Sequence, residues 1–296
     1  MQNVNYFKTI FSKISSIALT ILSIVLTAIA FFFSDLPAKW NCCVSGKIFI
    51  LISCFLVLFL LLFLITTIFT HLKKMNVIWR KANRSVLIEY DDIFSLKSNK
   101  NHKQFVVIPV DTQFMTQVDD DSTKVKNPCV SPETLHGKFI KKFYPNDRDV
   151  QSLESKINDY ISLKGYQIDT VQMKKYPNSQ KNRYKVGTVV EILSEQDSNI
   201  SYLLLALSEF DGQNHAVPKK ENLVNSIISL LEFYDNNCQG GELYIPLMGI
   251  GFSRQDISEE DALRLIRATI EQNLEYVRGN VHIVVYEKCR NSVSIF

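Results

Sequence analysis

The chain has 296 residues, with 33 Lys or Arg against 30 Asp or Glu and a net charge of +3. So small an excess gives no argument for a nucleic-acid partner, and six cysteines without Cys-x-x-Cys or Cys/His spacing give none for a zinc site. The length admits one large domain or two small ones, but the N-terminal quarter is not globular in character.

Ile14 to Phe33 carries no charge and is long enough to cross a hydrocarbon core of about 30 Å as a helix; Ile48 to Thr70 is a second such run. The short segment between them holds Asp35, Pro37, Lys39 and Trp40, so the pair reads as a transmembrane hairpin. A cleaved signal peptide is the rival, but the apolar run continues through Phe31, Phe32 and Phe33. Lys73, Lys74, Arg80, Lys81 and Arg84 crowd the end of the second span, and Lys8 and Lys13 precede the first. Both termini are therefore expected on the cytoplasmic side of a bacterial inner membrane. The expected organisation is a tail at 1–13, spans at 14–33 and 48–70, an outer loop at 34–47, a basic juxtamembrane linker at 71–84 and a ligand-binding domain at 85–296. In the first span Ser16, Thr20, Ser23, Thr27 and Ala30 line one helix face, a seam suited to close helix packing and self-association, while the bulky second span suits lipid contact.

From Ser85 the pattern becomes alternating strands and helices. Strands are expected at Val86 to Tyr90, Phe105 to Val110, Tyr184 to Leu193, Tyr202 to Leu207, Glu242 to Leu247 and Val281 to Glu287. Helices are expected from Ser131-Pro132 through Phe143, from Asp149 through Ile161, at Leu223 to Tyr234, and at Glu259 to Val277 behind an N-cap at Ser258. This order implies one α/β domain with a mixed sheet flanked by helices. Ligands of such sheets bind outside the carboxyl ends of the strands. That singles out Asp92-Ile93 after the first strand, Val110-Asp111-Thr112-Gln113-Phe114 after the second, and Gly249-Ile250-Gly251-Phe252 after a late one. In the last segment the glycines allow backbone N–H groups to turn toward a phosphate, and Gly240 and Gly241 fall close by in a chain with only ten. The alternative is a strand that stops at a Gly-containing turn, just as Asp92 and Asp111 are each in a place where carboxylates close turns. His136 and His215 have no partner visible in sequence, and no catalytic constellation or metal set stands out.

Those three segments resemble the macro domain, the fold that binds ADP-ribose, over about Ser85 to Lys288. The resemblance implies that Asp92 and Ile93 read the adenine, that Val110, Asp111, Thr112 and Phe114 run along the distal ribose, and that Gly249, Ile250, Gly251 and Phe252 hold the phosphates. ADP-ribose hydrolases of the family commonly carry an Asn-rich second loop, where this chain has Asp111-Thr112-Gln113. Joined to two membrane spans, the domain resembles the membrane effectors of bacterial Thoeris anti-phage defence. The function so implied is non-enzymatic: an ADP-ribose-derived signal, histidine-linked as a first candidate, is made from NAD by a TIR enzyme and triggers oligomerisation, membrane disruption and cell death. A membrane-tethered ADP-ribosyl hydrolase, or a reader of ADP-ribosylated protein, is the competing expectation. No cofactor beyond that ligand is implied.

Overall fold

The structure is a computed structural model that describes residues 15–17, 19–24, 27, 53, 56–65, 68, 74–96, 102–119, 130–171, 181–210, 216–217, 219–249 and 257–295. The chain divides into two compact units, Met1–Lys74 and Met75–Phe296. In the first unit the described residues of the two expected spans are helical. Among the described residues no helix is long and apolar enough to cross a membrane, and much of 14–33 and 48–70 lies outside them, as does the loop 34–47. The described part of the seam has its hydroxyls turned inward on its own helix: Thr20, Ser23 and Thr27 donate to the carbonyls of Ser16, Thr20 and Ser23. Those groups are satisfied without a partner helix.

The second unit begins with a strand inside the segment read as a basic linker. β1 (Met75–Lys81) turns through Ala82, at φ +51°, into β2 (Arg84–Tyr90), and the two pair antiparallel. Its Val77-Ile78-Trp79 run favours a strand, and Ile78 and Trp79 pack on the core. Arg80 and Lys81, two of the residues read as a basic juxtamembrane linker, sit on this edge strand, where charge blocks unwanted pairing. Then come β3 (Gln104–Asp111), α1 (Leu135–Phe143), α2 (Asp147–Lys164), β4 (Val189–Leu193), β5 (Ile200–Phe210), β6 (Ala216–Val217), α3 (Lys220–Asn237), β7 (Glu242–Pro246), α4 (Glu259–Gln272) and β8 (Asn280–Val285). The sheet order is β1-β2-β8-β7-β3-β5-β4, with β6 paired to β5. β2, β8, β7, β3 and β5 are mutually parallel, while β1, β4 and β6 pair antiparallel.

Alternation along the strands builds a core on each face. Phe105 and Val107 of β3, with Leu203 and Leu205 of β5, pack under α3 and α4, where Leu230, Tyr234 and Ile266 are fully buried. Val106, Ile108 and Val110 face the other way, onto Phe139 of α1 and Leu153 and Ile157 of α2. Each such side chain stabilises by about 1.5–3 kcal/mol on full burial, so both faces of a central strand must be apolar. This is a mixed sheet between two helical layers, the expected class.

Several boundaries differ from the sequence reading. α1 starts behind Thr134, whose Oγ1 accepts from Gly137 N at 3.0 Å, so Pro132 precedes the helix rather than opening it. α2 begins earlier than expected, behind an Asn146 cap. Tyr184 to Thr188 is not strand, because Gly187 takes φ +88° and the chain enters the sheet only at Val189. Ser258 does cap α4, accepting from Asp261 N at 3.1 Å, but the helix ends at Gln272 and a 3-10 turn carries the chain to Val277. Gly240 and Gly241 shape the turn between α3 and β7, at the opposite end of that strand from Gly249. They add nothing to a phosphate cradle.

Candidate functional site

Because β2, β3 and β7 are parallel, the described parts of the segments singled out in the sequence lie along one edge of the sheet, at the carboxyl ends of these strands. After β2, Asp91 N donates to Val285 O at 3.1 Å, which ties the turn to the neighbouring strand end. Asp92 is half-buried and its carboxylate bends back on its own loop, accepting from Phe94 N at 3.0 Å and Ser95 Oγ at 3.3 Å. Ile93 is buried against the α1–α2 layer, and Lys142 of α1 donates to Phe94 O at 2.8 Å. Asp92 is thus a turn former, and its partly exposed position leaves the remaining lone pairs for a ligand.

After β3 the loop is held more tightly. Asp111 is 4% exposed and accepts from Gln113 N at 2.8 Å and Met115 N at 3.2 Å. Burial pushes its carboxyl up to about 6, with those amide bonds and the Lys181 charge pulling the other way. Thr112 N donates to Ser208 O, and Tyr184 N to Thr112 O, both at 2.9 Å, so the loop lies between β5 and the segment leading to β4. Phe114 is buried at φ +50°, a conformation that a bulky residue holds only when its surroundings enforce it. Here the Tyr184 ring, 5.9 Å away, helps to enforce it. Beside this loop opens a cleft of about 270 Å³, lined by Gln113, Phe114, Glu154, Asn158, Lys181 and Tyr184 among others; neither Asp92 nor Gly249 lines it. Burial acts to raise the Glu154 carboxyl, but hydrogen bonds from Lys181 and Thr116 outweigh it and leave the group below its ordinary value.

His136, which had no visible partner in sequence, lies on α1 with Nδ1 4.0 Å from Asp111 Oδ2. The two do not form an ion pair. Burial lowers the imidazole to about 3 and keeps it neutral, and the separation exceeds a hydrogen bond. His215 lies outside the described residues. The next residue after His136, Gly137, is fixed by close packing: a Cβ there would lie 2.2 Å from Ser131 O and 2.8 Å from Pro132 Cα, both backbone. Gly137→Ala is therefore expected to lower stability by about 1–3 kcal/mol, as a fall in the thermal midpoint. An unchanged midpoint would show that the turn at 131–134 gives way freely.

After β7 the structure places Gly249 at φ +84°, in the left-handed region that the cradle reading requires. Ile250, Gly251 and Phe252 lie outside the described residues. The neighbour of Gly249 was not foreseen. A Cβ at that position would lie 3.1 Å from Leu223 Cδ2, so the first turn of α3 packs against it. Lys219 at the N-cap of α3 makes no side-chain cap bond, and a helix N-terminus favours anions. In sequence the nearest helix start was Ser258, too far from the glycines to help; the one that approaches Gly249 arrives by tertiary packing.

Among known proteins, the family model described as Thoeris protein ThsA, Macro domain, matches residues 86–286. The Thoeris protein ThsA of Bacillus amyloliquefaciens is 27% identical over 285 residues, covering 94% of this chain and 86% of that protein. Among solved structures, the Oceanobacillus iheyensis macrodomain with ADP aligns at 14% identity and a TM-score of 0.47, covering 75% of this chain and 94% of that one. The Trypanosoma brucei macrodomain in complex with ADP-ribose aligns at 9% identity and a TM-score of 0.38, covering 70% and 66%. Since the family model spans β2 to β8 and everything between, the chain belongs to the ThsA macro-domain family of Thoeris proteins.

Proposed function

We propose that the unit from Met75 onward binds an ADP-ribose-derived nucleotide signal, and that this binding switches on a membrane effector in bacterial anti-phage defence. The observation that carries the ligand reading is the meeting of Asp92-Ile93, the Asp111 to Phe114 loop and left-handed Gly249 on one edge of the parallel strands. Adenine goes to the β2 loop, ribose to the β3 loop and the phosphates to the β7 loop, with Ile250, Gly251 and Phe252 assigned to the same cradle. The cleft beside Gln113 and Phe114 is of a size to take a group carried beyond the distal ribose, such as an amino-acid adduct. A TIR enzyme is the proposed source of the signal. Insertion of 14–33 and 48–70 in the inner membrane with both termini cytoplasmic, self-association and loss of the membrane barrier complete the reading. Dye release from vesicles carrying the full chain, on addition of the signal, tests that half.

Binding without turnover is supported by the state of Asp111. Both its oxygens are taken by loop amides and its histidine neighbour stays neutral, so neither is poised to activate water. Incubation of the full chain with ADP-ribose conjugates tests this; steady release of ADP-ribose would establish the hydrolase instead. The adenine assignment is tested by calorimetry. Asp92→Ala is expected to weaken ADP-ribose about tenfold, toward the low end for a charge-assisted hydrogen bond because the carboxylate is only half-buried. The hypoxanthine analogue, whose carbonyl cannot donate to Asp92, should lose much less. Equal losses for the two ligands would leave Asp92 only its turn-forming role.

A further inference from the structure

Two buried polar groups along this edge lack partners: Nδ2 of Asn222 and Oγ1 of Thr112. The residues are 8% and 2% exposed, so bulk solvent does not reach them. Groups buried and left unpaired cost free energy, and natural structures keep few of them without a use.

The register of α3 places them at one height along the sheet. Ser226, one turn further along the helix, donates from Oγ to Ala206 O of β5 at 3.2 Å. α3 joins two parallel strands of one sheet, β5 and β7, and so runs antiparallel to both. One turn back along a helix is about 5.4 Å, and a strand advances about 3.3 Å per residue. Asn222 is therefore level with Ser208, whose carbonyl accepts from Thr112 N at 2.9 Å. The adjacent Leu223 is the residue that meets Gly249. The first turn of α3 thus packs against Gly249 at the height where the β3 loop begins, and Lys219 gives its amide groups no side-chain cap. Lys219, at its start, is paired with Glu209 at 3.2 Å.

We infer that Asn222, with the uncapped N-terminal turn of α3 and the hydroxyl of Thr112, forms a third wall of the nucleotide site and grips the diphosphate between the two loops. The inference rests on the nucleotide reading above and names a contact that the loops alone do not supply. The chemistry is that of an oxyanion: the Asn222 amide and the helix N–H groups only donate, and the Thr112 hydroxyl can donate as well. An adenosine moiety, which lacks phosphate, has nothing there to engage.

The test is calorimetry on the full chain in detergent with ADP-ribose and, separately, adenosine. Asn222→Ala removes the donor and is expected to weaken ADP-ribose about tenfold. Asn222→Asp keeps the shape but sets a carboxylate against the diphosphate, and is expected to weaken it by about a hundredfold. Adenosine binding should stay as in the wild type for both, and thermal unfolding monitors folding. Thr112→Val, isosteric and on another element, gives an independent arm with an expected loss of about threefold to tenfold for ADP-ribose alone. Wild-type ADP-ribose affinity in the folded Asn222 variants would overturn the inference, and so would equal losses for adenosine, which would mark a remote packing effect. A wild-type chain that binds neither ligand would overturn the nucleotide reading and this inference with it.

Discussion

Gly249→Val is expected to bind ADP-ribose about ten- to a hundredfold more weakly than the wild type while keeping its fold. At φ +84° a β-branched residue is strained by about 1–3 kcal/mol, and it relieves the strain by leaving the left-handed region. Leaving that region rotates the peptide that follows, and with it the N–H group directed at the phosphates. Restoring the cradle then requires the ligand to supply the strain energy, which converts to that loss of affinity. A second, smaller effect adds to it, since the new Cβ would stand 3.1 Å from Leu223 Cδ2 and press on the first turn of α3. Gly249→Ala is expected to lie between the two, at roughly fivefold to tenfold. Calorimetry with ADP-ribose, beside thermal unfolding, separates affinity from stability. Unchanged affinity in a folded valine variant would place the phosphates elsewhere.

The contrast between Gly249 and Gly240–Gly241 shows what a sequence can and cannot convey about such a site. All of these glycines punctuate the ends of one strand, so clustering in sequence looked like a single cradle. In the fold, β7 separates them by its whole length, and Gly241 serves packing instead: a Cβ there would lie 2.6 Å from Lys103 O. Strand ends were legible because alternation and carboxylate turn formers are local signals. The approach of α3 to Gly249, the common level of Asn222 and Thr112, and the placing of His136 beside Asp111 were not. Each depends on a crossover bringing together residues far apart in the chain, which no window of local pattern contains. β1 escaped for a different reason. Its basic residues matched a juxtamembrane pattern as well as they match a protected edge strand, and only pairing with β2 distinguishes the two.

The buried pair beside the β3 loop gives the remaining prediction, in which two titrations oppose one another. Asp111 is raised to about 6 from 3.8, so between those values the folded chain holds a proton that the unfolded chain has released. Its contribution to stability is present below pH 4 and is lost as the pH rises through 6, an amount of the order of 3 kcal/mol. His136 is lowered to about 3 from 6.5, so in the same window the unfolded chain holds the proton instead. Its contribution is present above pH 6.5 and is lost as the pH falls. In the wild type the two slopes largely cancel, and stability should change little between pH 4 and 6 on their account. Asp111→Asn removes one of them while keeping the turn, because the amide Oδ1 still accepts from Gln113 N. The variant should therefore gain stability relative to the wild type as the pH rises from 4 to 6, by an amount of the order of 3 kcal/mol across the window. Denaturant unfolding of both proteins at pH 4, 5 and 6 measures the difference directly, free of the slopes that Glu154 and Asp235 contribute equally to each. Parallel profiles would mean that the Asp111 carboxyl is solvated in the folded chain, and that the β3 loop opens enough to let water reach it.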